Sequence, residues 1–138
     1  MRAIKKPLAA VLLTAAIVLS LAVPAHARYF GNVWGELNGR GYVVNYQTFR
    51  DHVSTTRPRM HLDRVTAFNF RLWMRDRDGV RVSDRALFHT PGETTYWSSS
   101  SGSTIIPSGR YKLSGQMLGE LQGGFDPSSI RWQGDITW

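Results

Sequence analysis

The chain has 138 residues, a formal net charge of +7 and no cysteine. The missing cysteines exclude disulfides, thiolate metal sites and cysteine redox chemistry, so the fold must be stabilised by packing alone. The basic balance permits attraction to anionic surfaces without identifying a ligand.

Residues 1–27 have the three parts of a secretory signal peptide. MRAIKK is basic, Pro7 to Val23 is an apolar run, and Ala25-His26-Ala27 places small residues at the −3 and −1 positions of a cleavage site. The alternative is an uncleaved anchor, for which about 17 apolar residues is the short limit. We expect cleavage, which predicts a secreted protein located in extracellular, periplasmic or cell-wall space.

Cleavage would leave a single β domain over residues 28–138 with no transmembrane segment. The loss of Arg2, Lys5 and Lys6 lowers the net charge from +7 to +4. The remaining chain is arginine-rich, with Lys112 as its only lysine. Arginine has a planar fork suited to carboxylates and phosphates, although a codon bias would produce the same composition.

The first half of this domain is predicted to be strands and turns. Tyr29 to Leu37 and Tyr42 to Phe49 are aromatic and β-branched, and the intervening Asn38-Gly39-Arg40-Gly41 predicts a hairpin. Residues 51–59 are polar and contain a proline, which favours a loop. From Met60 onward, Phe68, Phe70, Leu72 and Met74 form one apolar face at period two.

Residues 71–85 predict a second hairpin, rich in arginine. A two-residue loop at Asp78-Gly79 would mix apolar and charged side chains on both faces. A three-residue loop, Arg77-Asp78-Gly79 with Gly79 left-handed, segregates them and is favoured by the hydrophobic pattern. It places four pairs of residues opposite each other: Met74 and Val82, Trp73 and Ser83, Arg75 and Arg81, and Arg71 and Arg85.

In this register one face carries Arg71, Trp73, Arg75, Arg81 and Arg85, with Arg77 at the tip. Like charges opposite each other destabilise a sheet, so the arrangement needs compensation. One interpretation is an intramolecular ladder in which arginines stack on Trp73, helped by Asp76, Asp78 and Asp84. The other is a binding face for an anionic ligand, with Trp73 as its anchor.

The second half of the domain also alternates between apolar and polar residues. His89 to Glu93 predicts a turn, Thr94 to Trp97 a short strand, and Ser98 to Ser103 a flexible polar loop. From Tyr111 the odd positions are apolar as far as Leu121, and Gln122 to Ser129 contains turn signals with one helical turn conceivable at Asp126-Pro127. Ile130 to Trp138 predicts a half-buried final strand with Trp132 and Trp138 in the core.

These patterns predict an all-β fold of seven or eight short strands. We expect an antiparallel, immunoglobulin-like β-sandwich, with a small β-barrel as the alternative. Trp34, Trp73 and Trp97 are expected to be the exposed tryptophans, and exposed aromatics on a sheet commonly hold sugars.

No residue pattern identifies a reaction. His61 and Asp63, with Asp51 and His52 nearby, make a metal site conceivable, but the histidines lack close ligand spacing, so we expect no metal site and no cofactor. No serine resembles a nucleophile elbow, and no two of the carboxylates Glu36, Glu93 and Glu120 are singled out by spacing. We assign no catalytic residue and favour binding over catalysis.

The leading hypothesis is a secreted, non-enzymatic binding protein that recognises an anionic or glycan component of a cell envelope, with an antibacterial or toxin-like effect as one outcome. No nucleic acid is expected as its physiological partner. The first alternative is a secreted inhibitor or other protein partner that acts through a loop at Arg50 to Met60 or Ser98 to Ser103. The second is a small hydrolase that uses His61 or His89.

Overall fold

The computed structural model describes residues 27–53, 57–66, 69–119 and 130–138, and these residues form nine strands. In chain order the strands are β1 (Tyr29–Leu37), β2 (Val44–Asn45), β3 (Arg50–His52), β4 (Arg59–Val65), β5 (Phe70–Arg75), β6 (Ala86–Phe88), β7 (Thr94–Tyr96), β8 (Gly109–Met117) and β9 (Ile130–Thr137). Within these ranges no helix is long and apolar enough to cross a membrane. The proposed signal peptide lies outside the described residues except for Ala27.

Two antiparallel sheets pack against each other. The first sheet has the order β1-β9-β4-β7, and the second has the order β2-β8-β5-β6, with β3 also paired to β8. The predicted β-sandwich is therefore confirmed. The strand number exceeds the expected range because residues 44–52 pair with β8 as two short strands instead of one long one.

Aromatic side chains dominate the core between the sheets. The rings of Phe70 and Phe88 stack with their centroids 5.2 Å apart, and Trp97 lies 6.2 Å from both Phe88 and Trp138. Trp132 and Trp138 are buried as predicted. The expectation that Trp97 is exposed is wrong, because its side chain enters the core and its Nε1 donates a 2.9 Å hydrogen bond to the Leu72 carbonyl.

The predicted hairpin between residues 29 and 49 is wrong. A turn does form, and the Gly41 amide donates to the Asn38 carbonyl. However, β1 pairs with β9 in the first sheet, whereas β2 pairs with β8 in the second. The turn therefore carries the chain from one sheet to the other.

The structure also differs from the predicted loops at residues 51–59 and 98–103. The segment 51–59 is not all loop, because β3 includes Asp51 and His52 and β4 begins at Arg59. The segment Ser98 to Ser103 is tightly hydrogen-bonded, since the Ser99 amide donates to the Ser103 carbonyl and the Ser100 amide to the Val82 carbonyl. Phe68, Leu121 and the turn region Gln122 to Ser129 lie outside the described residues.

Candidate functional site

The outer face of the second sheet collects positive charge. On β5 the side chains of Phe70, Leu72 and Met74 enter the core, so Arg71, Trp73 and Arg75 occupy the opposite face. Lys112 of β8 lies beside Arg75, and Arg81 lies on its other side. We call Arg71, Arg75, Arg81, Arg85 and Lys112 the cationic face.

The hairpin register is confirmed at its tip. Arg75 pairs with Arg81, and the Val82 amide donates a 3.0 Å hydrogen bond to the Met74 carbonyl. Gly79 has φ of 85°, the left-handed conformation that the three-residue loop requires. The sequence pattern thus predicted the turn and its charged neighbours correctly.

Farther from the tip the predicted pairing is wrong, because Arg71 lies opposite Leu87 and not Arg85. Between the Leu72–Ala86 and Arg75–Arg81 pairings, the chain advances three residues on the β5 side of the hairpin and five residues on the other side. The two extra residues shift the register. The segment that follows the turn stops pairing with β5 at Ser83, which instead forms an antiparallel bridge with Ser99. The buried Ser83 hydroxyl accepts a 2.8 Å hydrogen bond from the Met74 amide across this irregularity.

Trp73 is buried, contrary to the expectation that it is exposed. Only 6% of its surface is accessible, although it lies on the outer face and not in the core between the sheets. The Arg85 guanidinium lies 5.1 Å from the centre of its ring. Such a contact is worth about 0.5–1 kcal/mol at exposed sites, so it offsets part of the repulsion between arginines. Trp73 therefore supports Arg85 and does not offer a free stacking surface.

The charges of the cationic face contact neutral groups. Arg75 Nη2 donates a 3.0 Å hydrogen bond to the Tyr46 carbonyl, and Lys112 Nζ donates a 3.1 Å bond to Gln47 Oε1. Lys112 also lies 4.2 Å from the centre of the Phe49 ring. Carbonyls and rings solvate a cation but leave its charge uncompensated.

The nearby carboxylates do not form ion pairs with these cations. Asp76 Oδ1 accepts hydrogen bonds from the amides of Asp78 and Val80, and Asp84 Oδ1 accepts one from the Ser98 amide. In the described part of the chain no carboxylate lies within ion-pair distance of any cation of this face.

Three arginines elsewhere on the protein are paired with carboxylates. Asp51 forms ion pairs with both Arg28 and Arg110, at 2.9 and 3.1 Å. Glu36 forms a 2.9 Å ion pair with Arg131 on the outer face of the first sheet. Other arginines, among them Arg50, Arg59 and Arg64, also lack an ion pair to a described carboxylate. The cationic face is distinguished by having five unpaired cations together on one sheet face.

The residues of the conceivable metal site do not converge. His52 is buried at the second sheet, where its Nε2 donates to the Ile106 carbonyl at 2.9 Å. His61 lies on the first sheet, with its Nε2 3.8 Å from Asp63. No cluster of three or more metal-ligating side chains occurs among the residues that the structure describes.

The two histidines of the hydrolase alternative also have separate surroundings. His61 Nδ1 contacts the Thr94 hydroxyl and His89 Nδ1 contacts Asn69 Oδ1, each at 2.9 Å. His61 thus has a hydroxyl on one side and Asp63 on the other, but the 3.8 Å distance to Asp63 is too long for the hydrogen bond that orients the histidine of a catalytic triad.

Sequence reasoning missed Lys112. It lies at a polar position of a strand whose alternation was recognised, which indicated that it faces outward. Its place beside Arg75 depends on the pairing of β5 with β8, more than thirty residues apart along the chain. No local pattern reports such a pairing.

Comparison with known proteins adds no assignment. No protein-family model, curated protein or solved structure matches this chain. The function has to be argued from the site.

Proposed function

We propose that the protein is a secreted, non-enzymatic binding protein that recognises an anionic polymer of a cell envelope through the cationic face. The observation that carries this proposal is the concentration of five cations on one sheet face with no described carboxylate within ion-pair distance, whereas Arg28 and Arg110 are held by Asp51 and Arg131 by Glu36. The signal-like pattern of residues 1–27 supports action outside the cytoplasm.

The geometry favours a polymer over a compact anion. The side chains of Arg81, Arg75 and Lys112 follow one another across three neighbouring strand segments, and Arg71 and Arg85 extend the charge along β5. Adjacent strands are about 4.8 Å apart, so this row spans roughly 10 Å. A chain of repeated negative charges can contact several of these groups at once, which releases counterions and makes the affinity depend on salt.

The first test measures binding to dextran sulfate, with neutral dextran as the uncharged comparison. We expect binding to the sulfated polymer alone, with affinity falling about a hundredfold between about 50 and 200 mM salt, as several ionic contacts require. Binding that is insensitive to salt, or equal for both dextrans, would contradict the proposal. Duplex DNA serves as a second polyanion, and a clear preference for it would redirect the proposal to nucleic acid.

The second test uses matched variants. Arg71, Arg81 and Arg85 are changed together to glutamine, and Arg75 is kept because it holds the Tyr46 carbonyl. The control changes Arg59, Arg64 and Arg131 to glutamine, which removes the same charge from the first sheet. We expect the first variant to lose at least tenfold in affinity for dextran sulfate and the control to lose much less. Equal losses would mean that net charge, and not the cationic face, determines binding.

A further inference from the structure

A cleft of about 830 Å³ opens between the edges of the two sheets. One wall is the edge of β1 with which no described strand pairs, from Phe30 to Glu36, and the other runs from Val44 to Arg50 along the edge of the second sheet. Pockets for small ligands have volumes of about 300–1,000 Å³. This surface is separate from the cationic face.

Tyr46 connects the two walls of the cleft. Its ring lies against Gly35, where a Cβ atom would come within 2.7 Å of the Tyr46 Cε1 atom. Its hydroxyl donates a 2.8 Å hydrogen bond to the Glu36 carbonyl and accepts a 2.9 Å bond from Trp132 Nε1. Burial raises the pKa of Tyr46 to about 12, so the hydroxyl stays protonated at neutral pH. These contacts connect the two sheets and give the cleft a defined shape.

Arg50 supplies a charge without a partner. Its guanidinium lies 6.0 Å from the centre of the Phe30 ring, so it reaches from the second sheet to the first. The side chain is half-buried, and this burial lowers the pKa of Arg50. No described carboxylate is within ion-pair distance of it, although the adjacent Asp51 holds Arg28 and Arg110. A partly desolvated guanidinium favours an anion that can accept two of its hydrogen bonds, and a carboxylate has that geometry.

The rim of the cleft provides an aromatic ring and polar groups. Trp34 is 67% exposed, which makes it the most exposed of the described tryptophans. Asn32, with φ of 54°, lies at an irregularity in the pairing of β1 with β9 and lines the cleft, as does Thr48. Asn32 Oδ1 accepts a 3.1 Å hydrogen bond from Gln133 Nε2, so Asn32 Nδ2 and the Thr48 hydroxyl are the groups that can bond sugar hydroxyls. An exposed indole packs against the C–H face of a sugar ring.

We propose that this cleft binds a sugar acid, with the carboxylate of the ligand on Arg50 and its ring against Trp34. An exposed indole and an unpaired guanidinium that line the same cleft distinguish this ligand from a neutral sugar, which would leave Arg50 unpaired. They also distinguish it from a simple carboxylate, which would leave Trp34 exposed.

Calorimetric titration with glucuronate, glucose and acetate tests the proposal on the folded protein. Glucuronate should bind with a dissociation constant of about 1 mM or tighter, and at least tenfold more tightly than either glucose or acetate. The proposal is overturned if glucuronate does not bind at about 10 mM, if glucose binds equally, or if acetate does.

Variants identify the residues that contribute. Arg50→Gln should weaken glucuronate binding at least tenfold, whereas Arg40→Gln, which removes an exposed arginine from the turn before β2, should leave it unchanged. Trp34→Ala provides an independent test if Arg50→Gln does not fold, because its exposed ring contributes little to stability. Unchanged affinity in Trp34→Ala, or in folded Arg50→Gln, would refute the site.

The proposals for the cleft and for the cationic face can be tested separately. The triple glutamine variant of Arg71, Arg81 and Arg85 should keep its affinity for glucuronate while its affinity for dextran sulfate falls. Arg50→Gln should show the reverse behaviour. Loss of both ligands in either variant would contradict two independent sites.

Discussion

Replacement of Trp138 by alanine should strongly destabilise the fold. The side chain is fully buried, with its ring centre 6.2 Å from those of Trp97 and Phe30. A tryptophan buries about 150–250 Å², which at about 25 cal/mol per Å² corresponds to roughly 4–6 kcal/mol. The buried Nε1 has no hydrogen-bond partner among the described residues, which costs stability in the parent protein. The substitution removes this cost, so it recovers about 1–3 kcal/mol of the free energy of unfolding. The net loss expected is about 3 kcal/mol.

Urea denaturation and thermal melting measure this loss. A decrease of about 3 kcal/mol should lower the melting temperature by roughly 10–20 °C in a domain of this size. Trp138→Phe is the matched control, because it keeps an aromatic ring and removes the unpaired N–H, so we expect a change of less than about 1.5 kcal/mol. Trp34→Ala controls for loss of an exposed tryptophan. An unchanged midpoint in Trp138→Ala would refute the buried position of the final strand.

Two further changes test individual elements. Burial lowers the pKa of His52, so the unfolded chain takes up a proton at a higher pH than the folded protein does. The free energy of unfolding should therefore decrease as the pH falls below about 6.5, and His52→Gln should lose this dependence in urea titrations between about pH 7.5 and 5.5; an unchanged slope would exclude His52 as its source. At the hairpin tip, Gly79→Ala forces a Cβ into a left-handed conformation and should cost about 1–2 kcal/mol in the same assay, whereas Gly79→Asn should cost less; equal stability of Gly79→Ala and the parent would contradict the turn.

The sequence predicted local features well because they depend on near neighbours. The three-residue loop at Arg77-Asp78-Gly79 followed from turn chemistry and from the segregation of apolar side chains, and the structure confirms it at Arg75 and Arg81. The burial of Trp132 and Trp138 followed from period-two alternation. In each case the deciding information lies within a few residues.

Features that depend on distant partners were predicted less well. Asn38 to Gly41 has the composition of a hairpin turn. However, β1 pairs with β9 and β2 pairs with β8, so this turn connects the two sheets. Arg71 lost its expected partner Arg85 because Ser83 pairs with Ser99 from another part of the chain. Trp73 is an outward-facing residue by alternation, yet Arg85 covers it. The cleft at Arg50 depends on the meeting of two edges that no single segment encodes.

The central position of β9 has a consequence for the order of folding. Residues 130–137 are synthesised after residues 29–119, yet they lie between β1 and β4 and hydrogen-bond to both. The first sheet therefore cannot be completed before β9 is made, although β4 and β7 can pair earlier. Pairings of such high contact order form slowly, because the entropy of closing a long loop is lost before any contact compensates for it. The last strand to be synthesised is therefore the one that joins β1 to the rest of the first sheet.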